Sequence, residues 1–171
     1  MAYVDPNTVS NPTTGQVIPA AWGDQLRDNQ EFFIDPPAVS AYHNTTQSVA
    51  NNTDDYLSCN AENFDNDSMH STSTNNSRIT INTAGRYMVI ASIRFAADAD
   101  GFRQIKFEVN RTTTYESSLV LSSGSSLSTV LTGVRWMTLA ASDYVEVICR
   151  HLAGAALDVQ VYEFAATFQT R

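Results

Sequence analysis

The sequence is poor in charged residues, and basic residues are the scarcest. Asp, Glu, Lys and Arg make up 16% of the 171 residues, and ten basic against eighteen acidic residues give a formal net charge of −8. Lys106 is the single lysine. Because an acidic chain repels phosphate backbones, we expect no nucleic acid among its partners. The hydrophobic share of 43% still suffices for the core of about one domain.

Apolar runs long enough for a membrane are missing as well. No run approaches the roughly 20 residues that cross a bilayer, so we expect no membrane partner. The first fifteen residues, MAYVDPNTVSNPTTG, have neither the basic start nor the apolar middle of a secretory signal. We therefore expect that this segment is not an export signal.

Cysteine is scarce, with Cys59 and Cys149 far apart in the chain. Each lies in a segment where apolar residues alternate with other residues. Two thiols in a protein made in the cytosol are more often small buried hydrophobes than a disulfide. We therefore expect both cysteines to be reduced.

Motifs for catalysis and cofactor binding are also missing. His43, His70 and His151 lie in unrelated segments without metal-ligand spacing, and no G-x-S-x-G elbow is present. The SSGSS segment lacks the lysine and the helix context of a phosphate-binding loop. The sequence therefore predicts that the protein is not an enzyme and has no catalytic, cofactor or metal site.

Two acidic clusters have a second interpretation. Asp65-Asn66-Asp67 and Asp54-Asp55 offer the oxygen ligands that Ca²⁺ prefers. The D-x-[DN]-x-[DN]-G loop is absent, however, and Asp and Asn side chains commonly bond to their own backbone in turns. We favour turns at both clusters, with a calcium site as the alternative.

Residues 1–37 are predicted to form an arm. Residues 1–17 carry Pro, Thr and Asn without periodicity, and the spacing in IPAAWGDQLRDNQEFF predicts a short helix over 19–34. The Asp35-Pro36-Pro37 segment ends that helix, because proline disfavours helix in the residue before it. Its larger side chains, Trp22, Leu26 and Phe33, fall near one face. The helix either packs on its own domain or docks on another subunit.

Residues 38–171 are predicted to form a β domain. Apolar residues alternate with period two in RYMVIASIRFAA, QIKFEVN, STVLTGVRWMTL, DYVEVICRHL and LDVQVYEFAATF, between turn segments such as DADG and NRTT. This pattern is typical of an all-β sandwich or barrel. Tyr87 and Trp136 are expected in its core.

The last predicted strand, 157–168, is apolar or aromatic on both faces in its second half. A strand of a solvated antiparallel sheet is usually polar on one side. Aromatic residues are enriched in subunit interfaces. We therefore interpret Tyr162, Phe164 and Phe168 as a subunit interface, and the alternative is an inner strand covered by a loop or by the N-terminal helix.

Several features over residues 60–171 occur in the order of a known family. They are a Gly85-x-Tyr87 strand start, Phe95, a strand from Arg103 to Asn110, the strand Asp143-Tyr144-Val145-Glu146-Val147 after a turn, and the closing aromatic strand. Together they resemble the C1q/TNF-like jelly roll. Ser142 stands where that family commonly has Gly before Asp.

Within that family the chain resembles tailed-phage and prophage virion proteins. The matching segments are FDNDSMH, NNSRIT and AGRY, while AAWGDQLRDNQEFF is similar to a segment that often opens phage structural proteins. The resemblance implies a homotrimer around a three-fold axis that decorates a capsid or forms a short fibre or spike. It would be made in the cytoplasm of the host bacterium and reside in the virion.

The resemblance also implies partners. The arm would attach the trimer to the major capsid or tail protein through its large side chains Trp22, Leu26, Phe32 and Phe33. The alternative function is a tail-associated module that binds a host-surface glycan or protein. A cluster of aromatic and acidic residues at loop tips would favour that alternative, and Phe102 and Tyr115 are scattered candidates for it.

Overall fold

The computed structural model describes residues 14, 15, 17 and 20–170, apart from the side chain of Val161. The predictions for residues 1–13 and for a helix start at residue 19 lie outside them. One helix and eleven strands lie in the described part: α1 (Ala20–Ile34), β1 (Ala38–His43), β2 (Gln47–Val49), β3 (Asp55–Tyr56), β4 (Ala61–Asp65), β5 (Arg78–Thr80), β6 (Gly85–Phe95), β7 (Phe102–Val109), β8 (Thr113–Leu121), β9 (Thr129–Leu139), β10 (Tyr144–His151) and β11 (Leu157–Thr170). The helix is too short and too polar to cross a membrane.

The strands form two antiparallel sheets. The six-stranded sheet has the order β4-β1-β11-β6-β9, with β2 paired to one end of β11. The five-stranded sheet has the order β3-β10-β7-β8, with β5 also paired to β10. Apolar side chains from both sheets form one core. The predicted all-β fold is therefore confirmed.

Strand β6 shows how the alternation of the sequence builds the core. Tyr87, Val89, Ala91, Ile93 and Phe95 are all buried, at 0–1% exposure. The residues between them are half-buried or exposed. Since successive strand residues point to opposite faces, β6 supplies one row to the core and one row to the outer surface.

Trp136 is exposed at 62%, so its predicted core position is wrong, whereas that of Tyr87 is confirmed. Both rows of β9 contain apolar residues, and the alternation alone did not distinguish them. Gly133 does distinguish them, because a Cβ there would lie 2.3 Å from the Ser117 hydroxyl and 3.2 Å from the Phe107 ring. The Gly133 row must therefore face inward, and Trp136 faces outward.

The prediction of a subunit interface on β11 has to be corrected, because this strand contains a β-bulge. Leu157 and Val159 face the core, and strict alternation would then expose Tyr162. The pairing of β11 with β6 shifts register between Val159 and Val161, however, so the inward row continues through Tyr162, Phe164 and Phe168. These three rings are 2%, 2% and 7% exposed within the single chain. They fill the core and are not available to another subunit, so the inner-strand alternative was the better one.

The two cysteines are free and buried, as expected. Burial raises the pKa of the Cys59 thiol to about 12 and also raises that of Cys149. Both thiols are therefore neutral at physiological pH and behave as small apolar side chains.

The acidic clusters have the turn contacts that were predicted for them. The Asp65 carboxylate accepts hydrogen bonds from the backbone N–H groups of Asp67, Met69 and His70 at 2.8–3.2 Å. Asp55 accepts one from the N–H of Ala50 at 2.8 Å. Such contacts fix the local backbone conformation.

Helix α1 is confirmed, but a different side chain attaches it. Phe32 is 2% exposed, and its ring lies edge-on to Phe168 with centroids 5.0 Å apart. The helix therefore packs against one end of the sandwich through Phe32. Strand β1 begins at Ala38, and the division into an arm of 1–37 and a domain of 38–171 stays a prediction.

Candidate interaction surfaces

The outward side of the six-stranded sheet carries an apolar patch at β6 and β9. Met88 lies opposite Trp136, and Ile90 lies opposite Val134. Trp136 is 62% and Val134 is 54% exposed, and the two β6 residues are half-buried. We call these four residues the apolar face. Contiguous exposed apolar surface of this kind marks interaction sites more often than scattered single residues do.

Polar groups border the apolar face on the β1 and β4 side. Ser40 donates a hydrogen bond to Oε1 of Glu163 at 2.7 Å. The Asn63 amide donates to the same oxygen at 3.2 Å and to the Ser40 hydroxyl at 3.0 Å. An apolar centre with a polar border is the usual composition of a protein interface.

A second apolar patch lies at the edge of the other sheet. Strand β8 is the last strand of the five-stranded sheet, and the segment after it leads to β9. Here the exposed apolar residues are Leu119 at 57%, Val120 at 37%, Leu121 at 78% and Leu127 at 63%. We call these four residues the apolar edge. An exposed apolar edge strand is a site at which chains associate.

Sequence reasoning missed both patches. The apolar face could have been found, because STVLTGVRWMTL is apolar in both of its alternating rows, as β11 is. From the sequence alone it was not possible to tell whether β9 or β11 exposes one of its two apolar rows. That choice depends on Gly133 in β9 and on the bulge in β11.

The predicted attachment residues of α1 differ in exposure. Phe32 is buried, so it is not available to a platform protein. Trp22 is half-buried, whereas Leu26 is 47% and Phe33 is 71% exposed. Ile34, which was not among the predicted residues, is 83% exposed beside an open depression of about 390 Å³. The attachment role of these residues stays a prediction.

The outward side of the five-stranded sheet is charged. Glu146 is 0% exposed, and Arg111 donates to it from Nε at 2.8 Å and from a terminal nitrogen at 3.1 Å. Ser77 donates at 2.6 Å and Arg78 at 3.3 Å. Burial alone would raise the pKa of Glu146. The hydrogen bonds from Arg111, Ser77 and Arg78 together outweigh that effect, so the pKa lies below its ordinary value.

The network continues onto β7. The Tyr56 hydroxyl donates to Glu108, and the Arg111 guanidinium lies 4.4 Å above the centre of the Tyr56 ring. Burial and the Glu108 carboxylate raise the pKa of Tyr56 to about 12. Lys106 donates to both carboxylate oxygens of Asp54 at 3.0–3.1 Å. Each of these charges is held by a partner on the same chain, as a structural network requires.

The histidines lie apart from one another. The His70 ring lies between Glu62 and the Asn76 carbonyl, His43 stacks on Tyr162, and His151 contacts the Val49 carbonyl. In the part of the chain that the structure describes, no group of three or more His, Cys, Asp or Glu side chains is placed to hold a metal ion.

Phe102 and Tyr115 do not meet at a loop tip. Both are half-buried strand residues, in β7 and β8. The Tyr115 ring lies under the Arg135 guanidinium at 4.2 Å. The loop-tip cluster that would favour receptor binding is not formed by this pair.

Comparison with known proteins identifies the fold. No protein-family model and no curated protein matches the sequence. The chain is similar to the globular domain of zebrafish complement 1qA, with a TM-score of 0.58 and 17% identity over 79% of this chain and 98% of that one. It is also similar to the Eiger TNF of S. frugiperda, with a TM-score of 0.49 and 9% identity over 79% of this chain and 95% of that one. The likeness to the complement 1qA domain shows that the protein has a C1q/TNF-like jelly-roll fold, as the sequence resemblance implied.

Proposed function

We propose that this protein is a homotrimeric structural protein of a phage virion. It decorates the capsid or forms a short fibre or spike, and it is anchored through its N-terminal arm. The phage assignment is supported by the resemblance of FDNDSMH, NNSRIT and AAWGDQLRDNQEFF to virion proteins. The observation that carries self-association is the presence of two different exposed apolar patches on one chain.

Two different patches favour a closed ring over a two-fold dimer. A two-fold interface uses the same patch on both subunits, whereas a ring joins one patch to a different patch of the next subunit. The apolar face lies on the six-stranded sheet, and the apolar edge begins on the five-stranded sheet. In the proposed ring, the edge of each subunit packs on the face of its neighbour. The number three comes from the family resemblance.

Attachment uses the accessible residues of the arm. Leu26 and Phe33 are exposed apolar side chains on α1, and Trp22 is partly accessible. Three such arms on one trimer engage a platform with an avidity that one weak arm does not reach. Phe32 contributes by fixing the helix to the sandwich.

Light scattering of matched variants tests the ring. We expect a trimer mass for the wild type at micromolar concentration, and loss of the trimer on Val134→Glu in the face or Leu121→Glu in the edge. Leu26→Glu, which changes an exposed apolar residue outside both patches, should remain trimeric. A monomeric or dimeric wild type would contradict the proposal.

Mixing the two disrupted variants tests whether the interface joins unlike patches. The Val134→Glu chain keeps an intact edge and the Leu121→Glu chain keeps an intact face, so the mixture should form one open 1:1 complex. A face-to-face interface predicts no complex in this mixture.

The virion assignment needs its own experiment. Antibody-labelled electron micrographs of purified phage particles that encode the chain should show label at a fixed position on the capsid or tail. Particles without label, while the chain is present in the infected cell, would contradict a virion role even if the trimer forms.

A further inference from the structure

A polar pocket opens between the segment 66–77 and strand β5. It has a volume of about 280 Å³, close to the lower end of small-molecule pockets. All of its lining residues except Met69 have polar side chains: Ser68, His70, Ser71, Thr74, Asn75, Arg78 and Thr80. Hydroxyl, amide and guanidinium groups are suited to a ligand rich in oxygen.

Arg78 is fixed in one orientation at this pocket. Its Nε donates to Glu146 at 3.3 Å, and its guanidinium carbon lies 4.1 Å above the centre of the Tyr144 ring. The side chain is 24% exposed. Among the described residues, no acceptor contacts the two terminal nitrogens. A guanidinium whose two terminal nitrogens are free and already oriented binds a carboxylate with little loss of side-chain entropy.

The charge of Arg78 is not fully compensated within the chain. Of the three hydrogen bonds that Glu146 accepts from arginines, the two shorter ones, of 2.8 and 3.1 Å, come from Arg111, and the longest, of 3.3 Å, comes from Arg78. Arg111 is therefore the main partner of that carboxylate. The pocket wall thus carries a positive group on a chain whose net charge is −8.

The pocket is formed before any ligand binds. Asp65 holds the start of the 66–77 segment through three backbone N–H groups. The buried His70 ring contacts Glu62 of β4 at 2.8 Å and the Asn76 carbonyl at 3.1 Å, so it links the far end of the segment to β4. A preformed site avoids the cost of ordering a loop on binding.

We propose that this pocket binds an acidic saccharide, a single sugar unit that carries a carboxylate. The carboxylate lies on the terminal nitrogens of Arg78, and the ring hydroxyls bond to Thr74, Asn75 and Thr80. This ligand site is additional to the structural role proposed above and does not depend on trimer formation.

Ligand-observed NMR titration tests the site with three probes: glucuronate, glucose and acetate. Glucuronate should bind most tightly, since it combines the carboxylate with the hydroxyls. Arg78→Lys keeps the charge but removes the paired terminal nitrogens, so it should weaken glucuronate binding by about tenfold or more. Arg86→Gln, at an exposed arginine on the other sheet, should leave binding unchanged.

Two hydroxyl deletions separate a sugar site from a simple anion contact. Thr74→Val and Thr80→Val should weaken glucuronate binding and leave acetate binding unchanged. Equal affinity for acetate and glucuronate, with no effect of either variant, would reduce the site to an anion contact and overturn the proposal. Failure of glucuronate to bind the folded wild type, or an unchanged affinity in Arg78→Lys, would also overturn it, whatever mass the protein has.

Discussion

The two sheets of the sandwich have opposite kinds of outward surface. The six-stranded sheet exposes Trp136 and Val134 at 62% and 54%. The five-stranded sheet buries Glu146 and Lys106 at 0% and 7%. In a monomer, large apolar side chains are usually buried and charged side chains usually exposed. Each of these two surfaces shows the opposite arrangement.

The two surfaces differ in whether the groups that pair with them lie on the same chain. The charges of the five-stranded sheet are matched by Arg111, Arg78 and Asp54 from the same chain, so they can leave water without another subunit. Apolar surface gains about 25 cal/mol per Å² when it leaves water, and the apolar face has no cover among the described residues. The buried charges therefore need no second subunit, whereas the apolar face is where the proposed subunit contact lies.

The largest expected effect separates the inside of the six-stranded sheet from its outside. Phe164→Ala removes a ring that is 2% exposed and should lower the free energy of unfolding by about 3–5 kcal/mol. Trp136→Ala removes a ring that is 62% exposed and should cost less than about 1 kcal/mol. Denaturant unfolding in a Val134→Glu background measures both without a contribution from association. Equal losses would contradict the assigned faces of β9 and β11.

The charged network should respond strongly to removal of its central carboxylate. Glu146→Gln leaves the guanidinium groups of Arg111 and Arg78 without their anion, and should lower the free energy of unfolding by about 3 kcal/mol. Glu116→Gln is the matched control, because Glu116 is 66% exposed and lies 3.9 Å from Lys106. Its effect should be close to zero. Similar losses in both variants would show that Glu146 is not the centre of the network.

The effect of Glu146 should depend on pH in a defined direction. Its folded-state pKa lies below the ordinary value of 4.5, so the carboxylate contributes stability above pH 4.5 and loses it as the pH falls through the folded pKa. The difference in unfolding free energy between the wild type and Glu146→Gln should therefore be constant near neutrality and shrink below pH 4.5. A difference that grows with acid would contradict the lowered pKa.

Phe32 should matter to the fold in a way that its neighbours on α1 do not. Phe32→Ala exposes the edge of Phe168 and should cost about 1.5–3 kcal/mol. Leu26→Ala, at a residue that is 47% exposed, should have little effect on unfolding. If both variants unfold like the wild type, the helix contributes nothing to the sandwich, and the boundary at residue 37 is the better description of the domain.

The sequence was sufficient for the fold and insufficient for the faces. Period-two alternation in β6 predicted its buried row, because a regular strand keeps one phase along its length. In β11 a bulge between Val159 and Val161 changes that phase, and the residue types there do not predict the bulge. In β9 the contact of Gly133 with Phe107, a residue distant in the chain, selects the inward row. Residues were therefore assigned to the wrong side of the sheet where a local irregularity or a tertiary contact overrides the pattern.

The smallest expected effect concerns the turn before β10, where Ser142 replaces the glycine common in the resembled family. Its φ is +75°, a conformation that costs a residue with a Cβ more than it costs glycine. The turn is fixed by a hydrogen bond from the Ser142 N–H to the Ile81 carbonyl at 2.7 Å, so the backbone cannot relax without losing that contact. Ser142→Gly should therefore raise the free energy of unfolding by about 1 kcal/mol. Ala141→Gly, at the preceding residue without a positive φ, should lower it by about 0.5–1 kcal/mol, because glycine there only adds freedom to the unfolded chain. Thermal unfolding of the two variants at one protein concentration measures both changes, and a loss of stability in Ser142→Gly would show that the serine is not strained.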